Sequence, residues 1–445
     1  MKNKTRFTKV ILLALAAAAF LFTTRNGRAQ SPEVIVLNID APVTPAMLGY
    51  FERGILNAIE SNAEAVVIVL DTPGGAVTTT TDIVQLFRNT SVPVIVYIGP
   101  AGAQAASAGS LITAAGHLSA MAPETVIGAA SPINSDGSDI NETAYRKAVE
   151  DLKATMRNLT ERRGETAVAL GEAMIEEARA VTAKEALEAG FIDFIATDVN
   201  DLLAQANGKT VTINDQTIIL QTANAATRAL PLNSVELILL ALTNPLILGI
   251  LLAIGAQAIL IELSSPGGYV AGIIGVICIA LALYGAGQLP VNWLGMGLII
   301  LAFVLFIMEA FAPTHGGLTI GGTVSLIAGL LVLFNSPGTP QFARISISGA
   351  IGIGLSTAVI FGFIIVKAIG AQSKQPATGA EGLIGKKGVV RRGFTSAKGL
   401  PPYTGTVLVN GELWRALAES EFAPGDVVVV TAVNGFTLHV QTPNT

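Results

Sequence analysis

The stretch GPAGAQAASAGS, residues Gly99–Ser110, lies between two apolar segments and decides the fold of the N-terminal half. The run Val92–Ile98 before it is typical of a buried strand, and Leu111–Ala115 after it is typical of a short helix. Ser107 is therefore expected at the first turn of that helix, where unpaired N–H groups and the helix dipole favour an oxyanion. The alternative is that Ser107 is only an N-cap, the usual role of a serine at a helix start.

Strands and helices alternate through residues 31–205, which predicts a mainly parallel sheet with right-handed crossovers. Val34–Ile39 and Ala65–Asp71 are expected as buried strands, with an amphipathic helix over Pro45–Ser61 between them. The loop DTPGG, Asp71–Gly75, follows the second strand. Because active loops leave the carboxyl ends of parallel strands, this loop and the Ser107 loop are expected to face each other.

The composition predicts a membrane domain after this α/β part. The chain of 445 residues is 51% hydrophobic and only 13% charged, against about 25% charged in soluble domains. Residues 236–372 contain only five charged side chains. Five spans are expected, each long enough for a hydrocarbon core of about 30 Å; they lie near residues 243–262, 269–287, 292–311, 318–335 and 347–367.

An internal repeat lies within the expected spans. Glu262, followed by Pro-Gly-Gly and then Gly272, recurs as Glu309, followed by Pro, Gly-Gly and then Gly321. This spacing predicts a duplicated helical hairpin with close glycine-mediated packing. The two glutamates are either functional intramembrane acids or residues at the membrane interface, and the Pro-Gly turns favour the interface.

The first 30 residues have the pattern of a secretory signal peptide. Lys2–Lys9 is basic, Val10–Phe22 is apolar, and cleavage is expected near Ala29. An uncleaved anchor is the alternative, but the apolar run is short for a span. Basic residues cluster after the last span, which predicts a cytoplasmic C-terminus and an extracytoplasmic N-terminal domain.

Residues 379–445 predict a small all-β domain. Short apolar strands are separated by Gly, Asn and Pro turns, which favours a five-stranded OB-like barrel. Glu412 and Trp414 are expected as core or turn residues. Basic residues cluster near the membrane end and aromatic residues are sparse, so a protein-contact module is favoured over nucleic-acid binding.

The remaining composition excludes several function classes. The net charge of −5 gives no reason to expect nucleic acid. Cys278 is the single cysteine, and the three histidines, His117, His315 and His439, are scattered. We therefore expect no disulfide framework, no metal site and no cofactor.

A serine nucleophile needs a base. His117 follows the Ser107 helix and is expected to point away from its N-terminus. A lysine in a dry site can replace histidine. Lys147, Lys153 and Lys184 are the candidates, and spacing alone does not choose between them.

Several motifs in order resemble the membrane-bound Clp-class serine proteases of the NfeD family, also called stomatin operon partner proteins. They are Asp71–Gly75, Ala105–Gly109, Met121–Pro123, Ile127–Ala129 and Thr182–Leu187. The resemblance covers almost the whole chain. It implies a multi-domain protein: signal peptide 1–30, α/β Clp/crotonase-like protease domain and linker 31–230, polytopic α-helical membrane domain 231–372, and OB-like β-barrel domain 379–445.

The resemblance also implies site residues and partners. Ser107 would be the nucleophile, Lys147 the base, and Gly74 and Ala108 the oxyanion hole. The family pattern Lys-Val/Ile-Thr-Asn is replaced here by Lys147-Ala148-Val149-Glu150. Stomatin- or flotillin-like membrane proteins with apolar segments are the expected substrates or partners, and a homo-oligomer in contact with membrane lipid is expected.

Three functions follow from these expectations. The first is a membrane-anchored serine endopeptidase with a Ser–Lys dyad. The second is a catalytically inactive membrane scaffold or assembly partner of stomatin- or flotillin-like proteins. The third, a crotonase-type acyl-CoA enzyme, is disfavoured because export separates the domain from cytosolic CoA.

Overall fold

The computed structural model describes residues 32–132, 141–264, 268–312, 314–336, 339–372, 380–396 and 399–443. The expected signal peptide, residues 1–30, lies outside the described residues. The chain forms two compact units, Met1–Val359 and Ile360–Thr445. The first unit contains an α/β domain followed by apolar helices, and the second contains a β-barrel.

Eleven short strands lie in the described residues of the α/β domain. They are β1 (Glu33–Asp40), β2 (Ala65–Asp71), β3 (Val94–Ile98), β4 (Gln104–Ala106), β5 (Leu118–Met121), β6 (Val126–Gly128), β7 (Ala180–Thr182), β8 (Phe194–Ile195), β9 (Thr210–Ile213), β10 (Gln216–Ile219) and β11 (Ala226–Ala229). Six of them form one sheet in the order β11-β1-β2-β3-β5-β8, and every pairing in it is parallel. The predicted parallel sheet is confirmed.

Helices cover the sheet. They are α1 (Pro45–Glu60), α2 (Val77–Asn89), α3 (Ala108–Ala115), α4 (Glu142–Thr160), α5 (Glu165–Glu176), α6 (Ala183–Glu188), α7 (Val199–Ala206) and α8 (Ser234–Ala241). Successive side chains of β1 point to opposite faces, so Ile35 and Leu37 join the core under α1 while Val34 and Val36 join a second core under α7. Burial on both faces explains why β1 is mostly apolar, with Asn38 at an exposed position.

Five apolar helices follow at the five predicted places. They are α9 (Pro245–Ser264), α10 (Val270–Ala286), α11 (Trp293–Phe311), α12 (Gly317–Phe334) and α13 (Ile347–Gln372). Among the described residues, three stretches are long and apolar enough to cross a membrane, Pro245–Leu263, Gly317–Phe334 and Gln341–Ile364, while Val270–Ala286 and Trp293–Glu309 are shorter. Five spans therefore remain a prediction, and three of the helices have the length and composition of a membrane span.

The internal repeat is a structural repeat. The Glu262 carboxylate accepts hydrogen bonds from the N–H groups of residues 269 and 272, at the start of α10. The Glu309 carboxylate accepts them from residues 316 and 319, at the start of α12. Each glutamate therefore caps the helix that follows it, seven and ten residues further along the chain.

Glycine-mediated packing occurs in both hairpins, at glycines other than the Gly272 and Gly321 of the repeat. A side chain added at Gly275 would lie 2.8 Å from the Gly255 carbonyl oxygen, and one added at Gly295 would lie 2.6 Å from that of Gly329. The helix backbones are in direct contact at these two points, which only glycine permits.

The C-terminal strands form a closed barrel in the order β12-β13-β14-β16-β15. They are β12 (Lys387–Thr395), β13 (Tyr403–Val409), β14 (Glu412–Ala418), β15 (Val427–Asn434) and β16 (Thr437–Gln441). Pairing is antiparallel except between β14 and β16. The predicted five-stranded barrel is confirmed, and Glu412 and Trp414 lie on β14, where the Trp414 indole N–H donates to Glu412 at 3.2 Å.

An apolar row crosses the outside of this barrel. Val389 pairs with Val427 on one side and with Leu408 on the other, and Leu408 pairs with Leu413. Val427, Val389 and Leu413 are 46%, 37% and 65% exposed, and Leu408 is half-buried. We call these four residues the barrel row. It lies outside the barrel core formed by Val407, Val428 and their neighbours.

Candidate active site

The DTPGG loop and the Ser107 loop are joined by backbone hydrogen bonds. The Thr72 N–H donates to the Gln104 carbonyl oxygen at 2.7 Å, and the Ala106 N–H donates to that of Thr72 at 3.0 Å. The Asp71 carboxylate accepts the Gln104 N–H at 3.0 Å. The two loops follow adjacent parallel strands, β2 and β3, and form one rigid platform, as expected from the parallel sheet.

Ser107 sits on this platform in a strained backbone conformation. It directly precedes α3 and has φ 53° and ψ −116°, a region that residues with a Cβ adopt at a cost of about 1–3 kcal/mol. Its N–H donates to the Gly128 carbonyl oxygen at 2.8 Å, which holds the backbone there. The side chain makes no capping hydrogen bond to α3. Ser107 therefore occupies the N-cap position of α3, but its hydroxyl does not cap the helix.

Gly74 lies directly against Ser107. A Cβ added at Gly74, which has φ +105°, would lie 2.6 Å from the Ser107 Cβ and 3.2 Å from the Ser107 Oγ. The Gly74 N–H donates to the Thr72 hydroxyl at 3.2 Å. Ala108 is the first residue of α3, so its amide is among the four that have no partner within the helix. Gly74 and Ala108 thus flank the serine on two sides.

A small sheet supports the platform from behind. Strands β4 and β6 pair in parallel, with Ala106 opposite Gly128. Gly128 has φ +130°, and a side chain there would lie 2.2 Å from the Arg179 carbonyl oxygen. Its role in holding Ser107 was missed by sequence reasoning. A glycine between the apolar residue Ile127 and Ala129 is the only signal the sequence carries for this role.

Lys147 is not joined to Ser107 by a hydrogen bond. It lies in the second turn of α4 and is exposed. The buried side of α4 is formed by Val149, Met156 and Leu159, and Lys147 projects from the opposite side at 100° per residue. In the part of the chain that the structure describes, its amine has no hydrogen bond or ion pair. Helix α3, which begins at the serine, packs against α4.

The other two lysines are placed differently. The Lys153 amine lies 2.6 Å from a Glu176 carboxylate oxygen, and this hydrogen bond raises the pKa of Lys153. Lys184 is exposed in α6, 3.9 Å from Glu188. The nearby Thr182 caps α6 with Glu185 in a reciprocal capping box, as expected of a helix motif. Lys153 is therefore held in an ion pair, and Lys184 lies on the surface of the protein.

His117 lies at the opposite end of β3 from the Ser107 loop. Its Nδ1 accepts the N–H of Val94, the first residue of β3, whereas the Ser107 loop follows the end of that strand. Five residues of strand span about 16 Å. Burial, and then the positive charge of Arg162, lowers the pKa of His117 to about 4. The expectation that His117 points away from the serine is consistent with this placement.

A groove of about 560 Å³ lies beside Lys147. It is lined by Thr143, Tyr145, Arg146, Lys147, Val149, Glu150 and Glu176. Its lining combines the cations Arg146 and Lys147 with the carboxylates Glu150 and Glu176, and Tyr145 and Val149 add apolar surface. Among the described residues there is no group of three or more His, Cys, Asp or Glu that could hold a metal ion.

With the fold and this geometry established, comparison with known proteins defines the class. Three family models match in succession: the N-terminal domain of NfeD1b at residues 33–216, the NfeD integral membrane domain at 246–367, and the NfeD-like C-terminal, partner-binding domain at 380–441. The chain therefore belongs to the NfeD family.

Two relatives match over nearly their whole length. The membrane-bound protease PH1510 of Pyrococcus horikoshii is 35% identical over 419 residues, 92% of each chain. The membrane protein NfeD1b of Bacillus subtilis is 24% identical, over 97% of this chain and 98% of the relative. The first relationship supports a membrane protease.

Solved structures similar to the N-terminal half are also known. One is the 1510-N membrane protease specific for a stomatin homolog from Pyrococcus horikoshii, 32% identical, covering 48% of this chain and 99% of that one with a TM-score of 0.41. Another is a lysine-to-alanine mutant of the 1510-N stomatin-specific protease with a substrate peptide, 33% identical, covering 47% and 97% with a TM-score of 0.44.

Proposed function

We propose that the protein is a membrane-anchored serine endopeptidase in which Ser107 is the nucleophile and Lys147 the base. The observation that carries the proposal is the strained backbone of Ser107, held by Gly128 and packed against the side-chain-free Gly74. Such strain is concentrated at functional sites. The 35% identity to a membrane-bound protease over 92% of the chain supports the same reaction class.

The proposed reaction is acyl transfer to serine and then to water. The neutral Lys147 amine takes the proton of the Ser107 hydroxyl while Oγ bonds to the peptide carbonyl carbon. The carbonyl oxygen becomes an oxyanion, which the Ala108 amide stabilises, joined by the Gly74 amide when the latter exchanges its hydrogen bond to the Thr72 hydroxyl for the oxyanion. The C–N bond then breaks, the lysine returns its proton to the leaving amine, and water hydrolyses the acyl-enzyme.

The exposure of Lys147 sets a requirement on this mechanism. A lysine acts as a base when dry surroundings favour its neutral form. Because Lys147 projects from α4 into solvent, the mechanism needs a substrate that covers the amine and brings it to Ser107. An extended apolar peptide in the groove at Tyr145 and Val149 would do both.

We propose stomatin- or flotillin-like membrane proteins as substrates or partners. The 1510-N protease is named as specific for a stomatin homolog. The C-terminal match is to a partner-binding domain, and the barrel row gives that domain an exposed apolar surface across four strands. An apolar segment of such a partner is the occupant we propose for the row.

The proposed arrangement places the protease domain outside the cell and the barrel in the cytoplasm. The basic residues after the last span support this orientation. Either three or five spans, both odd numbers, put the two soluble domains on opposite sides. The domain boundaries 31–230, 231–372 and 379–445 and a homo-oligomeric state belong to the same proposal.

The second candidate is an inactive membrane scaffold for stomatin- or flotillin-like partners. The observation that favours it is the absence of a hydrogen bond between Ser107 and Lys147 in the described chain. A scaffold needs the barrel row and the membrane helices but no reactive serine.

Labelling with a serine-reactive phosphonate separates the two candidates. The full-length protein in lipid nanodiscs is treated with an apolar-peptide phosphonate, and the modified residue is mapped by mass spectrometry. We expect modification at Ser107 and its loss in Ser107→Ala. Ser110→Ala is the matched control, because the buried Ser110 hydroxyl is bound to the carbonyl oxygens of Ala105 and Gly128. Unmodified Ser107, together with no peptide cleavage, would support the scaffold.

A further inference from the structure

Helix α8 carries apolar side chains on its outer surface. Val235, Leu237 and Ile238 are 64%, 54% and 55% exposed, and they lie within a single helix of eight residues. Its sequence, SVELILLA, has one charged residue, Glu236. A cluster of this kind outside the membrane-spanning helices indicates a surface that binds something apolar.

The inner side of α8 is fixed to the α/β domain, so the helix cannot turn this cluster inward. Arg53 of α1 donates to both carboxylate oxygens of Glu236 at 2.7 Å, and also to the Pro231 carbonyl oxygen at 2.7 Å. The hydrogen bonds from Arg53 lower the pKa of Glu236, which stays ionised and paired. The Tyr50 hydroxyl donates to the Leu230 carbonyl oxygen at 2.7 Å.

The far end of α8 touches the membrane domain. Three residues separate α8 from Pro245, the first residue of a helix long enough to span, and three residues reach at most about 14 Å. Leu242, the first of the three, is buried, and its carbonyl oxygen lies against Gly285 at the end of α10. The exposed cluster is therefore held next to the ends of two membrane helices.

We propose that α8 is a lipid-binding helix. It lies along the membrane surface with Val235, Leu237 and Ile238 in the boundary between headgroups and acyl chains. Its continuity with the membrane helices selects lipid over a protein partner as the occupant, because any bilayer around α9 and α10 reaches this position. The single charge of the helix is neutralised by Arg53, which removes the main cost of such contact.

This placement bears on the substrate. The chain leaves β11 for α8 at the carboxyl ends of the parallel strands. The Asp71–Gly75 loop and the Ser107 loop lie at the same ends. Strand β11 lies three strand spacings from β3, or about 14 Å. If the proposed protease function holds, the site is supplied with polypeptide segments that lie at the bilayer surface.

Spin labels measure the contact directly. Cys278, the only cysteine, is replaced by alanine, and Ile238→Cys, Leu237→Cys or Val77→Cys is introduced and labelled in the full-length protein. Nanodiscs of phosphatidylcholine and phosphatidylglycerol supply the bilayer. Power saturation gives the accessibility of each label to oxygen, which concentrates in lipid, and to a nickel complex, which stays in water. Val77, 51% exposed on α2, is the control.

We expect the ratio of oxygen to nickel accessibility to be several-fold higher at positions 238 and 237 than at position 77. Equal ratios at all three positions would overturn the proposal. Labels at 237 and 238 that are shielded from both reagents would also overturn it, since they would show a protein surface over α8. The measurement needs no enzymatic activity, so its failure is distinct from a failure of the proposed protease function.

Discussion

Replacing Gly74 by alanine tests the proposed site at its closest contact. The added Cβ would lie 2.6 Å from the Ser107 Cβ, whereas carbon atoms are in favourable contact at about 3.5–4.0 Å. The serine must therefore move by about 1 Å, and a displacement of that size costs about 100-fold in rate. A disturbed oxyanion donor would reduce the rate further.

Gly102→Ala is the matched control for this change. Gly102 lies in the same loop as Ser107 and has φ +88°, but nothing lies within 4 Å of an added Cβ. Both substitutions carry a backbone cost of about 1–3 kcal/mol in stability. Only Gly74→Ala crowds the serine, so the difference between the two variants measures the crowding alone.

The assay is cleavage of a fluorogenic apolar peptide by the full-length protein in nanodiscs, with thermal unfolding of each variant followed in parallel. We expect kcat/KM to fall at least about 100-fold in Gly74→Ala and to follow stability alone in Gly102→Ala. Equal activity in the two variants would refute the assignment of Ser107 and Gly74 to one catalytic site.

Three further outcomes are expected. Lys147→Ala abolishes peptide cleavage while Lys153→Ala retains it, because Lys153 is committed to an ion pair; the reverse pattern in cleavage rates would reassign the base. Because the pKa of His117 is lowered to about 4 by burial, the unfolded chain alone binds a proton between pH 6.5 and about 4. As the pH is lowered through that window, His117 reduces the unfolding free energy of the protease domain by up to about 3 kcal/mol. In chemical denaturation, His117→Asn therefore loses less stability over the same window than the parent protein does, by about that amount; equal losses would contradict this role of His117. Leu413→Ser, in the barrel row, weakens capture of a purified stomatin-like protein in a pull-down and leaves peptide cleavage unchanged. Phe436→Ser, outside the row, is the control and changes neither capture nor cleavage. Equal capture by both variants would remove the row from the partner site.

The parallel sheet could be predicted because its central strands are buried on both faces. Apart from Asn38 and the final Asp71, residues 34–39 and 65–71 are apolar, a pattern typical of strands in the buried centre of a parallel sheet. Strand β11 could not be predicted. Its four residues, Ala226–Ala229, lie at the edge of the sheet and include an exposed threonine, so no pattern separates them from a loop.

The site could be predicted in part. The small residues around Ser107 indicated a tight turn into a helix, and the parallel strands implied that the DTPGG loop would meet it. Spacing could not choose among the lysines, and the contact between α4 and α5 adds only that Lys153 is paired with Glu176. Likewise, the hydrogen bond from Ser107 to Gly128 joins residues 21 positions apart, for which sequence spacing carries no rule.

The two capping glutamates, Glu262 in one hairpin and Glu309 in the other, have a consequence for how the membrane domain is assembled. Each hairpin contains the acceptor for its own second helix, so neither depends on the other to satisfy those amides. A translocon could therefore release the hairpins one after the other, each already complete in its polar bonding. Biogenesis of this domain would then proceed in two-helix steps, and a fault in one hairpin would leave the insertion of the other intact.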